Sequence, residues 1–409
     1  MAKYVIRHLK VNRINKGKIM TDVVIFQELD CDNGKKVGLI TLNSPKSLNA
    51  LSGDMVALLY PQLVTWQQQQ DIAAVFLQGE GEKAFCAGGD IVHLYSAMKN
   101  STMKSNSSNE NSVGNLNAGN QFAPEIKDYF TQEYQLDFLI HTFNKPFIVW
   151  GSGIVMGGGL GMLVAGSHRV VTENSRIAMP EISIGLFPDV GASYFLNKMP
   201  PGCGLFLALT GASINAADAK YCRLADYFVE QQHKDDLLIQ LKMINWGETI
   251  PLNHDKASQL LQEFERSSAS KLPMSPLKEH QPLISTFVEK QALTDVLAAI
   301  LSVETEDKWL SRAQKSLRNG SALSAQLAYS QLAKGKGMSL ADCFRMELNL
   351  AVKCGYFGEF LEGVRALLID KDNSPKWRYS SVELIDGKVL NWFFESTWSE
   401  SEHPLAKLT

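Results

Sequence analysis

The sequence has no CxxC pair, no GxGxxG or GxxxxGK[ST] loop, no GxSxG turn and no HExxH helix. Dinucleotide and P-loop binding, serine-hydrolase chemistry and a zinc-protease site are therefore not expected. The six cysteines, at 31, 86, 203, 222, 343 and 354, are widely scattered. That distribution fits free thiols in a reducing compartment, with neither disulfides nor a metal site. An excess of charge of one sign is also missing: 40 Lys and Arg face 43 Asp and Glu, a net of -3 over 409 residues. Such a chain has no general field to hold nucleic acid or an anionic membrane, so an anionic ligand must be met by local groups. One stretch, Pro146 to Ser167 ("PFIVWGSGIVMGGGLGMLVAGS"), is uncharged and long enough to suggest a membrane span. Its seven glycines between 151 and 166 argue instead for a strand, a glycine turn and a buried helix. The eight histidines are dispersed and read as surface or structural residues.

What is present is an alternation of strand and helix patterns. Residues 37 to 43 ("VGLITLN") alternate as a strand, and Met55, Leu58, Leu59, Leu63 and Trp66 recur at helical spacing. "AAVFLQ", "FIVW" and "HRVVTEN" read as further strands, each followed by a glycine-rich turn or a helix. This is the signature of an α/β domain with a largely parallel sheet, placed at residues 22–234. Residues 1–21 carry Lys3, Arg7, Lys10, Arg13, Lys16 and Lys18 without an acid or an apolar core. They are expected to be a basic flexible tail, or to precede a true start at Met20, rather than to address the protein. Between 99 and 121, seven Asn and five Ser replace almost all apolar residues, which is expected of a mobile surface insertion. Over 235–409 the strand signals fade and "ASQLLQEF", "ALTDVLAAIL", "SALSAQLAYSQL" and "SLADCFRMELNLAV" keep helical period, with Ser339 as an N-cap and Pro375 as a stop.

Two glycine motifs, "KAFCAGGDI" (83 to 91) and "MGGGLGM" (156 to 162), follow strands. Glycines there allow positive φ and close backbone approach, leaving N–H groups free to converge on a ligand oxygen. They also serve simply as turns and packing sites. In "MPEISIGLFPDVG" (179 to 191), Glu181 and Asp189 flank Ile182, Ile184, Leu186 and Phe187. Gly185 and Pro188 break any helix that could carry both acids on one face. Poorly hydrated carboxylates have raised pKa values and are candidates for acid, base or nucleophile roles. Equally, Asp189 could cap a helix at "VGASYFL" and Glu181 could point outward.

Taken in order, "NSPKSLNALS", "KAFCAGGDI", "GSGIVMGGGLGM" and "MPEISIGLFPDVGASYFL", with "EGVRALLIDKDNSPKW" at 362 to 377, resemble the enoyl-CoA hydratase/isomerase (crotonase) superfamily. Within it they are most similar to the branch that hydrolyses 3-hydroxyisobutyryl-CoA. The resemblance runs from about 22 to 378, apart from the Asn/Ser stretch. It implies a crotonase-like spiral of ββα repeats with a helical C-terminal region. It further implies an oxyanion hole from the N–H groups of Gly89 and Gly158, with Glu181 and Asp189 as catalytic acids and Glu133 contacting the substrate. Lys46 in "SPKS" is a candidate cation for the CoA phosphates. The hydratases' second glutamate falls at Gly161 here, so thioester hydrolysis is expected over hydration, which needs a second acid or base. No separate cofactor or metal is implied, since CoA belongs to the substrate. Neither nucleic acid nor membrane is an expected partner, and the homo-oligomeric state is left open. A cytoplasmic location is expected, with the mitochondrial matrix as the alternative.

Overall fold

The architecture is that of a computed structural model, which describes residues 18–20, 23–105 and 122–409. Of the basic segment, Lys18–Met20 is among them as strand β1, paired antiparallel with β2 (Val24–Asp30). The remainder of 1–21, and residues 106–121 of the Asn/Ser stretch, lie outside the described residues.

The α/β class and the helical C-terminal region both hold. After β3 (Lys36–Leu42) and helix α1 (Gly53–Gln68), the chain makes three similar passes. Each pass puts one strand into a seven-stranded sheet and the next into a three-stranded sheet. The first pass is β4 (Ile72–Gly79) and β5 (Ala84–Cys86), followed by α2 (Ile91–Ser105) and α3 (Pro124–His141). The second is β6 (Phe147–Gly151) and β7 (Ile154–Met156), followed by α4 (Gly158–Ala165). The third is β8 (His168–Val171) and β9 (Arg176–Ala178), followed by α5 (Ala192–Phe195). The large sheet closes with β10 (Tyr227–Phe228) and is parallel from β3 onward, with Val75 opposite Phe147 and Ile148 opposite His168.

Side chains alternate across this sheet, because successive residues of a strand face opposite sides. Val75, Leu77, Phe147 and Val149 enter the main core. Ala74, Phe76, Ile148 and Trp150 enter a second core, which Trp246, Leu261 and Phe264 cover from the C-terminal side. Buried on both faces, β4 and β6 therefore read as nearly continuous apolar runs.

The C-terminal region is a set of helices from Lys234–Met243 to Gly387–Phe394. Ser339 accepts the Asp342 N–H and caps the helix Leu340–Phe357. That helix lies on α3, its Phe344 ring 5.6 Å from Tyr134 and 6.2 Å from Phe138. Among the described residues no helix is long and apolar enough to cross a membrane.

Candidate active site

The small sheet explains how three separate motifs meet. Its order is β5-β7-β9, all parallel. Gly88 and Gly89 follow β5, Gly157 and Gly158 follow β7, and Pro180 and Glu181 follow β9. The carboxyl ends of three adjacent parallel strands, spaced by about 4.8 Å, thus deliver these residues side by side. All of them border one pocket of about 270 Å³, together with Glu133 from α3 and Asp189.

Gly157 has φ +49 and Gly158 opens α4, so the chain turns at once from strand to helix. A side chain at Gly158 would strike Glu133 Oε1, and its Cβ would fall 3.7 Å from the Gly89 nitrogen. Neither the Gly89 nor the Gly158 N–H has a hydrogen-bond acceptor among the described residues. Two unpaired donors beside one pocket are what an oxyanion needs. Each donor can contribute about 3 to 4 kcal/mol to a transition state that develops charge there.

The acids around them are almost wholly buried: Glu133 is 2%, Glu181 4% and Asp189 4% exposed. Glu181 does not point outward. It faces Gly157, and its Oε2 has no hydrogen-bond partner. Burial, then the nearby Asp189 charge, pushes its pKa well above the ordinary carboxylate range. Nor does the Asp189 side chain cap a helix, since the N-cap of α5 is Gly191, with no side-chain cap bond. Asp189 Oδ2 instead accepts the Tyr134 hydroxyl at 2.7 Å. Burial raises its pKa to about 6, opposed by that hydrogen bond. Burial and the charges of Asp189, Asp137 and Glu181 push Glu133 up as well.

Three participants were not evident from the sequence. Tyr134 and Asp137 sit one and four residues after Glu133 on α3, and Glu347, on the helix Leu340–Phe357, accepts backbone N–H groups of the loop that follows Asp189. Both carboxyl oxygens of Asp137 are buried without a partner, and burial with the Asp189 and Glu347 charges raises its pKa. The helical spacing of Glu133 and Asp137 was a usable signal; nothing local pointed to Glu347.

Gly161 is packed from the side. A Cβ there would come 2.7 Å from Val190 Cβ and 3.1 Å from Asp137 Oδ2. Lys46 is exposed in the 3-10 turn Pro45–Ser47 and does not line the pocket. Among the described residues no cluster of three or more His, Cys, Asp or Glu could hold a metal ion.

Known proteins resemble this chain in sequence and fold. The chain is 35% identical over 361 residues to "3-hydroxyisobutyryl-CoA hydrolase, mitochondrial" of Gallus gallus, covering 88% of this chain and 86% of that one. The protein of the same name from Homo sapiens is 33% identical over 399 residues, with 97% and 93% covered. Among solved structures, an enoyl-CoA hydratase from Rhodobacter sphaeroides 2.4.1 superposes with a TM-score of 0.73 at 27% identity, covering 92% of this chain and 98% of that one. A carnitinyl-CoA dehydratase from Mycobacterium thermoresistibile gives 0.74 at 28% identity, with 90% and 96% covered. The family described as enoyl-CoA hydratase/isomerase matches residues 37–394. The chain belongs to the enoyl-CoA hydratase/isomerase family.

Proposed function

We propose that this protein hydrolyses a short 3-hydroxyacyl-CoA thioester, 3-hydroxyisobutyryl-CoA in first place, to the free acid and CoA. The similarity to relatives named for that reaction supports the substrate. The observation that carries the choice of reaction is at Gly161, where Val190 and Asp137 fill the space beside the backbone. Hydration of a C=C bond needs two acid/base groups flanking it, and here no second acid projects from α4 into the pocket.

In this reading the thioester oxygen lies between the N–H groups of Gly89 and Gly158, which stabilise it as charge builds on carbonyl addition. Glu181 supplies the attack, either adding its own carboxylate to the carbonyl, to give an anhydride that water then cleaves to the free acid and Glu181, or taking a proton from the water that adds to the carbonyl. A carboxyl whose pKa is raised by burial is, once ionised, the stronger base for either route. Asp189 meets the substrate hydroxyl and passes a proton to the departing thiolate. Glu133, beside the oxyanion donors, contacts the acyl group. Lys46, outside the pocket, is kept only as a candidate for the CoA phosphates. The relatives' names, which say mitochondrial, favour a mitochondrial location over the cytoplasm.

The test is release of free CoA thiol from 3-hydroxyisobutyryl-CoA, with crotonyl-CoA as the competing substrate. Glu181→Gln is expected to lower the rate by about a thousandfold or more while the protein stays folded. Hydration of crotonyl-CoA faster than thiol release overturns the reading.

A further inference from the structure

The backbone that carries Asp189 is bent against its own preference. Val190 has φ +51, a region in which the Cβ of a β-branched residue crowds the chain. Gly191 follows at φ +87, which glycine tolerates. A strained β-branched residue persists only where its surroundings hold it.

The holding groups come from the C-terminal helices. Glu347, on the helix Leu340–Phe357, accepts the Gly191 N–H at 2.7 Å on one carboxyl oxygen and the Ser193 N–H at 2.8 Å on the other. Gln331, on the helix Ala322–Gly335, donates its amide N–H to the Pro188 carbonyl at 2.5 Å. The segment is thus gripped on both sides of Asp189. Both side chains are 0% exposed and neither lines the pocket. The bend they hold sets Val190 against Gly161, while Asp189 meets Tyr134.

We propose that Glu347 and Gln331 form a clamp that positions Asp189 for the reaction, an inference that rests on the hydrolase reading above. The C-terminal helices then act in catalysis through the loop they hold, without touching substrate.

Glu347→Gln keeps the shape but sets an amide N–H₂ against a backbone N–H donor. It is expected to lower kcat about tenfold or more, with KM within about twofold, and to speed hydrogen exchange at the Gly191 and Ser193 amides. Val190→Gly removes the strain, so in that background the same substitution should cost less than about threefold. Gln331→Met, which loses only the Pro188 contact, should also lower kcat, and it carries the same comparison if Glu347→Gln does not fold. Full kcat with retained amide protection overturns the clamp, and so does a loss of equal size in both backgrounds. If the wild type releases no CoA, the hydrolase reading fails, while exchange at Gly191 and Ser193 still decides whether the grip exists.

Discussion

Replacing Asp189 by Asn should stabilise the protein while removing its activity, and the gain should grow with pH. Burial raises Asp189 from 3.8 to about 6. A carboxyl whose folded pKa is raised is neutral in both states below 3.8, where it costs nothing. Above that, the unfolded chain releases a proton that the folded chain retains, so stability is lost as pH rises toward 6 and levels off beyond it. At about 1.36 kcal/mol per pH unit, the loss is about 1 kcal/mol near pH 4.5 and about 3 kcal/mol near pH 7.5. Asn does not ionise, and its carbonyl can still accept the Tyr134 hydroxyl. With an unfolding entropy of about 2.1 cal/mol/K per residue, 3 kcal/mol over 409 residues corresponds to a Tm change of about 3 to 4 °C. Calorimetry of both proteins should therefore show Asp189→Asn melting higher by about 1 °C in the acidic buffer and by about 3 to 4 °C in the neutral one. Packing differences between Asp and Asn are the same at both pH values and cancel in that comparison. A gap that stays constant or shrinks as pH rises refutes the assignment of Asp189 as a carboxyl held at the expense of stability.

Further outcomes follow from the same geometry. Tyr134→Phe removes the hydrogen bond that favours ionised Asp189, so the inflection in the pH–rate profile that belongs to Asp189 should move to higher pH; an unmoved profile would separate Tyr134 from catalysis. Gly158→Ala drives a methyl group into Glu133 Oε1 beside the oxyanion donors, and kcat should fall by about a hundredfold or more; a near-normal kcat would show that Glu133 swings aside and leaves the oxyanion donors in place. Gly161→Glu meets Val190 and Asp137, and overpacking of about 1 to 3 kcal/mol should lower the melting temperature without conferring hydration of crotonyl-CoA. Appearance of that activity would mean that the space beside Gly161 opens readily.

Much of the site was legible because its pieces are local. "AGGD", "GGG" and "MPE" each follow a strand, and a glycine run at a strand end carries its meaning in a few residues. Asp189 was visible as an acid in an apolar stretch. The small sheet was not legible, because β5, β7 and β9 have three residues each, too few for a period-2 pattern to register. The helix Ile91–Ser105 likewise runs into the stretch whose composition suggested an insertion, since its early turns pack Leu94 and Met98 into the core.

The sequence by itself determined the class of fold, the family resemblance and the turns that free the Gly89 and Gly158 amides, since these depend on residues close together along the chain. Tertiary structure alone decided that three short strands stand side by side and that Tyr134 bonds an acid 55 residues away. It also decided that Glu347 grips a loop 156 residues before it. A contact between distant residues leaves no periodic trace in the chain, because its energy is realised only when the whole core has closed around it.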